Sequence, residues 1–96
     1  MTWIRTIPVE QADDVLRRCY EAVERLYPPE YCADVAAVVR PDGRSDSVVA
    51  AHSLIPAAML HAMSTFGALL DPELPLSRRQ HELIAAVVSA QNQCFY

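Results

Sequence analysis

Lysine is absent from this chain of 96 residues, and all eight basic residues are arginine. With abundant alanine, that absence reads as base composition of the coding sequence and carries no functional claim. More telling is the lack of a basic excess. Twelve acidic residues leave a net charge of −4, and a protein that holds nucleic acid needs a basic face to neutralise phosphates. No apolar run approaches the length of about 18 residues that a membrane span requires. The N-terminus, MTWIRTIPVEQADD, turns acidic where a secretory signal would be hydrophobic. The expectation is therefore a cytoplasmic protein that engages neither nucleic acid nor membrane.

Cysteine is also scarce. Cys19, Cys32 and Cys94 are odd in number and widely spaced, which gives neither a disulfide framework nor a zinc signature. His52, His61 and His81 stand too far apart to share a helix face as metal ligands. No metal and no cofactor is expected. Internal repeats and low-complexity segments are missing, and no segment alternates convincingly as a strand, although residues 35–39 could form one in isolation.

What is present is helical periodicity. At 52% hydrophobic and 21% charged, the chain can form one modest core. Residues 9–27 read as an amphipathic helix, with Ala12, Val15, Leu16, Cys19, Val23, Leu26 and Tyr27 recurring at three- and four-residue spacing. Pro28-Pro29 stops it, because proline has no backbone N–H to donate. A short helix is expected over 30–39, and Arg40-Pro41-Asp42-Gly43 reads as a turn. Ser45 or Ser47 would cap a short helix reaching about Ser53. Pro56 suits the first turn of the next helix, which runs to about Leu70 with Ala58, Met59, Leu60, Met63, Phe66 and Leu69 on broad apolar faces. Residues 71–75 form a linker. Ser77 then caps a last helix, and Gln80 three residues on completes a capping box. The fold class is all-α, with four to five helices in a single domain spanning residues 1–96.

Each candidate for chemistry has a plain structural alternative. Cys19 lies on the apolar stripe, where a thiol acts as a small hydrophobe. Cys32 sits near a helix start, which favours a thiolate, but an incidental thiol is the simpler reading. His81 is expected in solvent beside Arg78 and Arg79, and His61 in a helix contact. His52 is expected to hydrogen-bond at the Ser53-Leu54-Ile55-Pro56 corner. Glu82 adjoins Leu83 and Ile84, and a carboxylate at the edge of an apolar face can move protons. Alternatively it is an exposed acid paired with Arg78 or Arg79. On one straight helix Glu82 and Cys94 would lie roughly 18 Å apart along the axis and about 120° around it. The polar run Gln91-Asn92-Gln93 offers a stop between them, with Asn92 suited to left-handed backbone angles. Cys94 would then lie in a reversal and could begin a following helix, whose N–H groups favour a thiolate.

The last 21 residues, LSRRQHELIAAVVSAQNQCFY, resemble the core of the AhpD-like family, the alkylhydroperoxidase D and carboxymuconolactone decarboxylase group. That family's pattern is a glutamate, eleven residues, Cys-x-x-Cys, and a histidine four residues after the second cysteine. Glu82 and Cys94 stand at the first part of that spacing. Upstream, Ala51-His52-Ser53-Leu54-Ile55-Pro56 resembles the segment before the central helix of the peroxidase-related branch. The likeness extends over roughly residues 9–96.

The resemblance implies an all-helical domain and thiol-dependent reduction of hydroperoxides, with a hydroperoxide substrate and a thiol reductant as partners. It implies a homo-oligomer, a trimer or higher, at full length. By the same likeness Glu82 belongs to a proton relay and Cys94 is the resolving thiol. The attacking cysteine would fall immediately after Tyr96 and the histidine four residues further. The expectation is an AhpD-like domain lacking its C-terminal part, and a chain that is catalytically inactive by itself. Two other functions compete. One is a helical oligomerisation or interaction module without chemistry. The other is a carboxymuconolactone decarboxylase-like enzyme, against which the Cys-x-x-Cys register argues.

Overall fold

A computed structural model describes residues 3–29 and 47–94. The helix expected over 30–39, the turn at 40–43, Cys32 and Ser45 lie outside the described residues. Within them the chain forms a short 3-10 helix, Val9–Gln11, and four α-helices: α1 (Asp14–Glu24), α2 (Ser47–Ala50), α3 (Pro56–Leu69) and α4 (Arg78–Gln91). No strand occurs among the described residues, so the fold class is all-α. No helix there is long and apolar enough to cross a membrane.

The single helix expected over 9–27 is divided. The 3-10 helix ends at Ala12, whose backbone is extended at φ −71° and ψ 138°. Asp13 then opens α1. Its carboxylate accepts a hydrogen bond from the Leu16 amide at 2.8 Å, satisfying one of the donors that a helix start leaves without a partner. Asp14 adds negative charge to the first turn, where the helix dipole favours it. Apolar spacing could not reveal this break, because the buried residues Ala12 and Leu16 keep a four-residue step across it. α1 ends at Glu24, four residues ahead of Pro28.

The core lies between α1 and α3. From α1 it takes Leu16, Tyr20 and Val23, spaced as successive residues of one helix face; from α3 it takes Met59 and Met63. Ala12 and Val49 complete it, and Ile7, Cys19, Leu26 and Tyr27 pack partly against it. Tyr20 thus holds a core position that the expected stripe omitted. Val15, placed on that stripe, is largely exposed, because a residue adjacent to Leu16 sits about 100° away around the helix.

α3 begins with Pro56 in its first turn, as expected. Its apolar surface is wider than its buried part: Met59 and Met63 are buried, whereas Phe66 and Leu69 are exposed. Near its end α3 approaches the end of α1 closely. A Cβ on Gly67 would lie 3.1 Å from Leu26 Cβ, tighter than ordinary van der Waals contact. The rings of Tyr27 and Phe66 meet edge to face beside this point, with centroids 5.9 Å apart. Leu26, Tyr27, Met63, Phe66 and Gly67 line a shallow apolar cleft there.

The linker to α4 is tied by Asp71. Its side chain accepts from the Glu73 amide at 2.9 Å and its carbonyl from the Leu74 amide at 3.1 Å. Ser77 then caps α4 through a full capping box. Ser77 Oγ accepts from the Gln80 amide at 3.3 Å, and Gln80 Oε1 accepts from the Ser77 amide at 2.8 Å. This is the arrangement that the Ser77-x-x-Gln80 spacing predicts.

Candidate functional site

The two residues carried by the family resemblance sit at opposite ends of α4. Glu82 lies in the second turn. Its Oε1 is 3.5 Å from Arg78 Nε, and both side chains are more than half exposed. Of the two settings open to Glu82, the structure therefore has the exposed ion pair. Such a pair contributes only a few tenths of a kcal/mol, so folding does not fix Glu82 in place strongly.

Cys94 lies just beyond the last turn and is exposed. Asn92 was expected to take the left-handed conformation, but its backbone has φ −83° and ψ 1°. The left-handed residue is Gln93, with φ 53°. The hydrogen bonds explain the shift by one residue. The Gln93 amide donates to the Ala90 carbonyl at 3.1 Å and the Cys94 amide to the Ser89 carbonyl at 2.9 Å. This pair defines a Schellman motif, in which the left-handed residue follows the helix C-cap. Asn92 occupies the C-cap, so the reversal falls on Gln93. The thiol-bearing residue is thereby pinned back over the last turn. Its own amide is engaged with Ser89 and is not available to a thiolate. Glu82 and Cys94 stand at opposite ends of α4, whose stretch from Glu82 to Gln91 rises roughly 14 Å before the chain reverses.

His81 corrects another expectation. It is buried, at 7% exposure, and is the one buried residue of α4. Its Nε2 has no hydrogen-bond partner among the described residues. Proximity to Arg78 and Arg79 in sequence suggested solvent. Histidine is intermediate in its tendency to be buried, and the first turn of α4 directs this one inward. The remaining long apolar side chains of α4 face outward: Leu83, Ile84, Val87 and Val88 are each more than half exposed.

The other two histidines lie outside this helix. His52 Nδ1 lies 2.8 Å from the Val48 carbonyl, one helical turn upstream, while its backbone carbonyl accepts from the Ile55 amide at 3.0 Å, at the expected 53–56 corner. His61, expected in a helix contact, is exposed. Cys19 is half-buried against the core. Among the described residues no three histidine, cysteine or acidic side chains converge as metal ligands would.

Sequence reasoning missed a buried polar link. The Ile7 amide donates to Ser53 Oγ at 2.7 Å, and the Tyr20 hydroxyl donates to the Ile7 carbonyl at 2.7 Å. Ser53 and Tyr20 are 1% and 4% exposed. Three separate stretches of chain are thus joined through one residue's backbone. Burial raises the Tyr20 phenol above its ordinary value; the hydrogen bond with Ser53 opposes that rise, and the charge of Glu10 adds to it. The four-residue step from Leu16 to Tyr20 was the available signal for the position, but nothing in the sequence identifies the partners of its hydroxyl.

Comparison of the chain with protein-family models, curated proteins and solved structures gives no match.

Proposed function

We propose that this chain carries the leading part of an AhpD-like thiol peroxidase site, with Cys94 as the resolving thiol and Glu82 as a member of the proton relay. The observation that carries the reading is an exposed cysteine in the reversal directly after α4, twelve residues beyond Glu82. The all-helical fold is compatible with it.

The chemistry requires two thiols. A thiolate attacks one oxygen of the hydroperoxide and the O–O bond breaks. The leaving oxygen takes a proton and departs as alcohol or water, while the attacking sulfur becomes a sulfenic acid. A second thiol displaces hydroxide from that sulfur, a disulfide forms and water is released. A dithiol reductant then restores both thiols. Cys94 takes the second step. The attacking cysteine and the histidine are those that would follow Tyr96, so the 96 residues alone complete no cycle. Proton transfer between Glu82 and Cys94 is indirect in this reading, because α4 holds them at its two ends. At full length the reading includes a homo-oligomer.

The test compares peroxide consumption by the 96-residue chain with that of a chain extended through the further cysteine and histidine, each with a dithiol reductant. Turnover is expected only in the extended chain, and Cys94→Ser should abolish its disulfide step. Equal turnover by both chains, unaffected by Cys94→Ser, would overturn the reading.

A second reading, a helical interaction module without chemistry, is favoured by the outward apolar side chains of α4. It calls for a defined oligomer with a cooperative thermal melt. Sedimentation showing indefinite aggregation would count against it.

A further inference from the structure

We draw no further inference here: the strongest candidate, the exposed apolar face of α4 formed by Leu83, Ile84, Val87 and Val88, has nothing in the structure to show what covers it.

Discussion

The backbone amide of Cys94 donates to the carbonyl of Ser89 across the end of α4, at 2.9 Å. This bond fixes the thiol-bearing residue against the last turn, and it depends on Gln93 holding φ 53°. Any side chain with a Cβ adopts that conformation at a cost, which glycine avoids.

Gln93→Gly should therefore tighten the reversal, by about 1 kcal/mol, and Gln93→Val should loosen it. The measurement is hydrogen exchange at the Cys94 amide. Exchange about fivefold slower in the glycine variant and faster in the valine variant is expected. Equal rates in all three proteins would mean that the motif does not govern this end of α4.

Tyr20→Phe removes the hydroxyl that serves the Ile7 carbonyl and leaves that acceptor without its partner. The expected loss is about 1–3 kcal/mol in urea unfolding. A change below a few tenths of a kcal/mol would show that water replaces the bond.

The same tyrosine predicts a pH dependence. Its phenol is raised above the ordinary 10.0, so the folded state holds the proton more tightly than the unfolded state. The corresponding stability is fully present below pH 10 and declines as pH rises from there through the folded-state value. The difference between wild type and Tyr20→Phe should shrink across that window. A difference that is constant with pH would contradict the assignment.

Gly67→Ala sets two effects against each other. Alanine favours a helix interior by about 1 kcal/mol over glycine, but its Cβ would lie 3.1 Å from Leu26 Cβ. Leu26 Cβ is attached directly to backbone and cannot swing aside, so overpacking of about 1–3 kcal/mol should win. A net loss of up to about 2 kcal/mol is expected in chemical denaturation. A gain of 1 kcal/mol would show that the two helices separate freely.

Glu82→Gln separates a structural role from a chemical one. The exposed pair with Arg78 makes the expected stability change less than about 0.5 kcal/mol. In the extended chain the same variant should slow peroxide turnover and alter its pH profile. Unchanged turnover with an unchanged profile would remove Glu82 from the relay.

The parts of the fold set by local chemistry were legible in the sequence. Ser77 and Gln80 announced the start of α4, and Pro56 the start of α3, because caps and proline act over one turn. The helix start at Asp13 is masked in the sequence, since the apolar spacing runs through it without interruption. Features that depend on what lies across the fold were not legible. Tyr20 is in the core because Ile7 and Ser53 supply partners for buried polar groups. His81 is buried and Val15 exposed because of how each helix is rotated in the fold, which residue type alone does not set. At the candidate site, the stop after α4 was foreseen, but its left-handed residue was placed one position early. The bond pattern of the Schellman motif, and not the preference of asparagine, decides which residue turns.

The most direct test of the account is thiol mapping by mass spectrometry in the extended chain after one equivalent of hydroperoxide. The account predicts that Cys94 and the cysteine three residues beyond it lose two hydrogens together and form a disulfide that a dithiol reverses. A Cys94 that remains fully open to alkylation while the peroxide is consumed would contradict its role as the resolving thiol.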